Sequence, residues 1–471
     1  MQRVIVLEAN EVPLRVFERF SEKRPNSHIA RLMHSAISAE TLAQDVERDF
    51  LYPSQTWASL NTGTPYELHK IHWYNDPKPS EYPLYWKVVA DHGFSVGLIN
   101  TLHSSPAGSW AESHRTVPFV VPDCFASDSY TKPGYLEPFQ KLNLQAVKEN
   151  SRVSTLRAPV KDVALTLLNA PRFGIRAQTL SSGTRLMAGI LLKRVNRERL
   201  RNFQFPLVAD IFFRQFEKHE PDLAVLFTNH VAANMHRYWY GLFPEDFQDE
   251  VYGQEWVKKY GGEIDAAMDL LDAYMGKLMG LAERTNRVLV IVSSMGQQGN
   301  RQLTATKRSQ QAVAFRLQDV RKLMGVLLPN AKSFRVLSAM VPQYVLAFSD
   351  APEASRVEAE FKALLPATEG LAMVLDRNEN ILTLSAIIES GTGECTISGR
   401  KYSFQELGFL RFEVDDHHSG RHCPEGTLII YNSQTSKLPL RQVNYLEYAP
   451  AMLSHFKLDP LPHMMKPSFT I

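Results

Sequence analysis

Three short, unbroken apolar runs constrain this chain most: Val4-Ile5-Val6-Leu7, Leu223-Ala224-Val225-Leu226-Phe227 and Val288-Leu289-Val290-Ile291-Val292. Such runs suit strands covered on both faces, as in a parallel sheet flanked by helices. The segments around them have helical spacing. Arg15 to Phe20 follows the first run, and Ile264 to Leu281 is an amphipathic helix between the other two. Ser27 is placed to cap a helix through Met33. Trp86 to His92, stopped by Gly93, leads into the strand Ser95 to Asn100, a β/α repeat of doubly wound type. The fold class is therefore α/β: a three-layer α/β/α sandwich with a largely parallel sheet. Ligands of such sheets bind at the strands' carboxyl edges. Glu8-Ala9-Asn10-Glu11 stands at one such edge, and Asn229, His230 and His236 follow another.

The chain has 471 residues, too long for one small core. Residues 1–121 read as the first half of the α/β core. Over 122–205 the strand-like runs disappear and Arg becomes frequent, which reads as a helical insertion. The core resumes over 206–310. Residues 311–410 read as a small α+β insertion, with a strand over Gln343 to Phe348, a helix over Glu353 to Leu365 and strands near Met373 and Ile381. The span 411–471 returns to the core through Leu428 to Tyr431. Within the helical insertion, Gly183 to Arg199 mixes apolar and basic positions. It reads as a surface helix with one buried stripe, the alternative being peripheral contact with a membrane surface or an anionic ligand.

Lys plus Arg (52) nearly balances Asp plus Glu (50), so no global attraction to nucleic acid is expected. Cys124, Cys395 and Cys423 are widely spaced, which argues against a disulfide framework or a thiolate zinc site. No leader-like segment opens the chain and no apolar run approaches about 18 residues. The expected compartment is cytoplasmic.

Tyr52-Pro-Ser-Gln-Thr-Trp-Ala-Ser-Leu-Asn-Thr-Gly63, with His69-Lys70-Ile71 beyond it, resembles the nucleophile region of the alkaline phosphatase superfamily, in its type I phosphodiesterase/nucleotide pyrophosphatase branch. Further anchors follow in family order. Asn10-Glu11 matches the first Asp-Gly, Pro25 to Met33 the next helix, and Gly93 to Ile99 the next β/α unit. His236 closes the Asp-x-x-x-His motif, Ser293-Ser294-Met295-Gly296 stands at Ser-Asp-His-Gly, and His422 with Gly426 matches His-x-x-x-Gly. The resemblance implies an alkaline-phosphatase-like core and phosphoester chemistry. Asn10-Glu11, Thr56-Trp57 and Asn229-His230 further resemble a bacterial subgroup associated with surface-polysaccharide assembly.

Departures from the family pattern fall on its two-metal site. Asn10 replaces the first Asp, Ala232 the Asp before His236, and Ser294-Met295 the Asp-His pair. An amide, a hydroxyl and a thioether do not compensate a dication as carboxylate and imidazole do. The expectation is at most one divalent metal of the zinc type, held by His236 and His422 with His230 or Glu11 as local substitute, or else the same histidines acting as acid/base residues. Counting back from Thr62-Gly63, the family's nucleophile falls on Pro53. Ser54 or Thr56 could take its place or simply cap the helix.

Glu11 is the carboxylate placed to serve as general base or metal ligand. Asn10, Asn229, His230, Gln298 (beside Gln297), Trp57 and His103 are expected to contact substrate, Trp57 by stacking. His69 reads as a structural turn residue, and His417 and His418 as solvated turn residues. Three functions remain open. The first is a phosphoester or glycan-phosphate hydrolase or transferase with a degenerate metal site. The second is a metal-independent glycan transferase using a nucleotide-sugar or sugar-phosphate donor. The third is a non-catalytic glycan- or partner-binding member.

Overall fold

The computed structural model describes residues 1–47, 51–149, 166, 168–303, 313–331, 333–337, 343–388, 393–413, 419–438 and 441–471. The three apolar runs become β1 (Arg3–Ala9), β5 (Leu223–Thr228) and β6 (Arg287–Ser293), adjacent at the centre of an eight-stranded sheet. The others are β2 (Ile37–Leu42), β3 (Val96–Ile99), β4 (Phe119–Val121), β9 (Thr427–Tyr431) and β10 (Gln442–Asn444), in the order β10-β2-β9-β6-β1-β5-β3-β4. Val4 sits in register with Leu223 on one side and Val288 on the other. The pairings are parallel except that β9 runs against both β2 and β6.

Alternation along β1 sends its side chains into two cores. Ile5, Leu7 and Ala9 pack with Phe17, Leu271 and Met275 from α1 (Leu14–Lys23) and α5 (Glu263–Arg284). Val4 and Val6 pack with Trp86, Met452 and Trp57, the last on α2 (Pro53–Thr62). Burying each such side chain contributes about 1.5–3 kcal/mol, which fixes these strands inside a three-layer sandwich. Ser27 caps its helix as expected, accepting from the Ala30 amide at 3.0 Å.

Among the described residues of 122–205 there is no strand; the longest helix there is α3 (Ala177–Leu191). Over 313–413, strands Gln343–Ala347, Leu371–Asn378 and Ile381–Ile388 and the helix Ala351–Leu364 surround an apolar cluster of their own, containing Leu346, Phe361 and Leu384. No helix among the described residues is long and apolar enough to cross a membrane.

Candidate functional site

The carboxyl edge of the central strands is where polar side chains converge. Past Ala9, the Asn10 amide still donates to the Thr228 carbonyl at 3.0 Å, so the chain leaves β1 alongside β5. Glu11 then takes a left-handed backbone conformation (φ 56°). That conformation costs a non-glycine residue roughly 1–2 kcal/mol, and it turns the carboxylate back under the strand ends. Helix α4 (His230–Leu242) starts directly after β5 and carries His236. His422 lies on a two-stranded ribbon of β7 (Gly296–Gly299) and β8 (Gly420–Cys423), directly opposite Gln297. A Cβ on Gly420 would stand 2.3 Å from the Met235 carbonyl. Only glycine lets α4 press this closely on the ribbon, and that contact sets His236 beside His422.

Three ligand atoms meet at this point. His236 Nε2 lies 2.9 Å and His422 Nε2 3.3 Å from Glu11 Oε2, and the ligand atoms of all three residues fall within 4.8 Å of one another. The rings are tilted by 68° with centroids 5.0 Å apart. Glu11 is buried, whereas the imidazoles keep 27% and 21% of their side-chain surface open. The carboxylate thus forms a floor under two rings that face solvent. Gln297 Nε2 donates to Glu11 Oε2 at 2.5 Å and Asn10 Nδ2 donates to Oε1 at 2.9 Å. His422 Nδ1 donates to the Leu51 carbonyl at 2.7 Å.

That last bond puts the neutral ring's proton on Nδ1 and aims the lone pair of Nε2 at a carboxylate oxygen. Two electron-rich atoms at 3.3 Å need a proton or a metal cation between or beside them. With a proton there, burial works against both charges. The charged imidazoles nevertheless hold the Glu11 carboxyl well below its usual range, and Glu11 raises His422. With a cation there, one carboxylate and two imidazoles, Glu11 and His422 braced by outer hydrogen bonds, make a fitting donor set for zinc or a similar ion.

The neighbouring half of the pocket is neutral and knitted to itself. Thr56 and Ser294 hydroxyls lie 2.9 Å apart. Trp57 Nε1 donates to Asn10 Oδ1 at 2.7 Å, and Asn10 Nδ2 donates to Asn229 Oδ1 at 2.7 Å. Met295, beside Ser294, is buried in the core. Among the described residues no carboxylate or further imidazole joins the Glu11–His236–His422 group.

Several expected contacts fall elsewhere, each for a local reason. His230 and His236 share one helix, where six residues turn about 240°. His230 consequently points inward, stacked on Phe205 at 4.4 Å and donating from Nε2 to the Ala267 carbonyl. Burial lowers its pKa to about 4. It does not join His236 and His422, and of the two substitutes named, Glu11 is the one grouped with them. Trp57 is fully enclosed against Phe227 and cannot stack on a substrate; it orients Asn10. His103 is also buried, donating from Nε2 to the Ser54 carbonyl rather than lining the rim. Along β7, Gln297 turns to Glu11 and Gln298, its neighbour, turns away. Asn229 is exposed at the start of α4.

Neither candidate nucleophile caps α2, whose N-cap is Tyr52 and whose first residue is Pro53. The Ser54 hydroxyl donates to the His72 carbonyl at 2.5 Å, and both Ser54 and Thr56 are buried. His69 is buried in hydrogen bonds to Ser59 and Ile71. His417 and His418 lie outside the described residues. Glu8, expected at the polar edge, faces the core beside Asn61 and Thr101 with no aligned hydrogen bond to its oxygens, and burial raises its carboxyl to about 8. The Leu51 carbonyl had no sequence signal, because a main-chain atom contributes irrespective of residue type.

No family model matches the chain, and no curated protein matches it. Among solved structures it is similar to a murine ectonucleotide pyrophosphatase/phosphodiesterase 5, at 11% identity over 98% of this chain and 97% of that one, with a TM-score of 0.42. It is similar to a phosphonoacetate hydrolase of Sinorhizobium meliloti, at 13% identity over 95% and 94%, TM-score 0.39. It is also similar to the alkaline phosphatase PafA, at 9% identity over 99% and 98%, TM-score 0.46. Likeness at this level carries no chemistry. The mixed α/β fold with its large, mostly parallel sheet is the fold class expected from the sequence.

Proposed function

We propose that this chain is a divergent member of the alkaline phosphatase superfamily that hydrolyses or transfers a phosphoester or glycan-phosphate group, with a single divalent ion at Glu11, His236 and His422. One observation carries the reading: three ligand atoms within 4.8 Å at the carboxyl edge of a parallel sheet. A divalent ion in such a set supplies Lewis-acid stabilisation of charge on phosphoryl oxygens. The chain's own residues do the rest. Gln297 and Asn10 fix the Glu11 carboxylate, and the Leu51 carbonyl fixes the His422 tautomer. The partly exposed imidazoles border the approach of the substrate, and exposed Asn229 offers an amide beside them. The substrate class, and its place in cytoplasmic surface-polysaccharide assembly, draw on the sequence resemblance rather than on geometry.

Turnover of a phosphodiester probe, with and without chelator, in wild type and His422→Ala, tests the reading. Loss of turnover on chelation and in the variant is expected. Equal turnover in all four conditions sinks it.

Pro53 favours a second reading. It stands where the family has its nucleophile, and the hydroxyls nearest it are buried and engaged. A metal-independent glycan transferase, or a non-catalytic binding member, needs no hydroxyl there. A protein that binds no metal but is raised in melting temperature by a nucleotide-sugar supports the transferase; one that does neither supports the binding member.

A further inference from the structure

The helical insertion carries a feature that the pocket does not use. Between Ala170 and Arg197 the chain has six cations (Arg172, Arg176, Arg185, Lys193, Arg194 and Arg197) and no Asp or Glu, and of these Arg176 is paired with Asp210 and Glu217. Helix α3 runs through the middle of this stretch. Its inner side is occupied: Thr179 donates to Asp210, and Leu180 packs against the main core. Gly183 leaves no room for a side chain, since a Cβ there would stand 2.6 Å from the Phe203 ring. Along the same row of the helix, one and two turns beyond Gly183, the side chains emerge to solvent and are apolar. Met187, Leu191 and Leu192 are 44%, 78% and 62% exposed. Other large exposed apolar residues among those described are scattered singly along the chain, as on most protein surfaces; here three fall within one and a half turns.

Charge decides what could cover this patch. Arg185 bonds only within its own helix, to Ser181. Lys193 and Arg194 continue directly from the apolar pair and are exposed. A helix with an apolar edge bordered by unopposed cations suits the interface of an anionic bilayer. There Leu and Met enter the acyl boundary while Arg and Lys meet lipid phosphates. A protein partner would have to be both acidic and apolar at the same spot. A second copy of this chain would bring like charges together. We propose that the end of α3 with its following turn (residues 185–194) is a peripheral membrane-docking surface for anionic phospholipid.

The test is co-sedimentation of the full chain with vesicles of phosphatidylcholine alone or of phosphatidylcholine mixed with phosphatidylglycerol. Partitioning is expected to be at least about tenfold stronger on the anionic vesicles, and to fall with salt. Leu191→Glu with Leu192→Glu should bring it to the level of the neutral vesicles. Arg185→Gln with Lys193→Gln and Arg194→Gln should remove the preference for anionic lipid. These side chains are exposed, so unchanged thermal melts are expected in both variants. Equal partitioning on the two vesicle types, none on either, or variants that bind like wild type would each overturn the proposal. So would a concentration-dependent dimer, seen by light scattering, that the Leu variants abolish, because a second copy would then be the occupant.

Discussion

The two halves of the pocket sit at the same sheet edge and have opposite characters. On one side, Glu11, His236 and His422 turn ionisable atoms toward a common point and keep the rings partly open to solvent. On the other, Thr56, Ser294, Asn10 and Trp57 satisfy one another with neutral hydrogen bonds, and Met295 has joined the core. Converging lone pairs need a proton or a metal cation, whereas a neutral hydroxyl–amide network has no charge to offer one. One sheet edge can therefore hold a cation-binding group and a neutral network side by side. Ala232 has no carboxylate to give beside His236, yet Glu11, arriving from another strand, supplies one to the same imidazole.

The sharpest way to break this comparison is to remove the floor of the charged half. Glu11→Ala should lower metal affinity and turnover by about a hundredfold or more while the fold persists; wild-type metal content in that variant would refute the assignment. Gln297→Ala leaves all three ligands but frees the carboxylate. A loss of about ten- to a hundredfold in metal affinity is expected, read by competition with a chelating dye.

A third prediction concerns Glu8, buried beside Asn61 and Thr101. Its folded pKa of about 8 exceeds the ordinary 4.5, so the folded state keeps a proton that the unfolded chain releases. Stability should therefore fall by roughly 1.4 kcal/mol per pH unit as pH rises through that window, and level off above it. Glu8→Gln should flatten this slope in denaturant titrations; an unchanged slope would place the titration elsewhere. The smallest effect belongs to the neutral half itself. Thr56→Val should change turnover by less than about tenfold, since its hydroxyl bonds to Ser294 rather than facing substrate. A loss of several orders of magnitude would make Thr56 the nucleophile after all.

Much of this was legible in the residues because it depends on local pattern. Val4 to Leu7 and its two counterparts could only be doubly covered strands, and polar residues at their carboxyl ends pointed to the edge where the site lies. His236 and His422 were identifiable because sequence motifs anchor them. What was not legible depended on phase and on close approach. Whether His230 shares a face with His236 turns on where α4 begins, and the helix starts at His230 itself. Choosing Gln297 over Gln298 required the register of a two-residue alternation in a ribbon whose strands are far apart in sequence. The enclosure of Trp57 and His103 follows from how α2 lies on the sheet, a tertiary fact with no local trace.

Metal stoichiometry measured by elemental mass spectrometry, on protein reconstituted with zinc and freed of excess, tests the asymmetry most directly. One ion per chain is expected in wild type and in Thr56→Val, and none in His422→Ala. Two ions per chain in wild type, or one retained by His422→Ala, would contradict it.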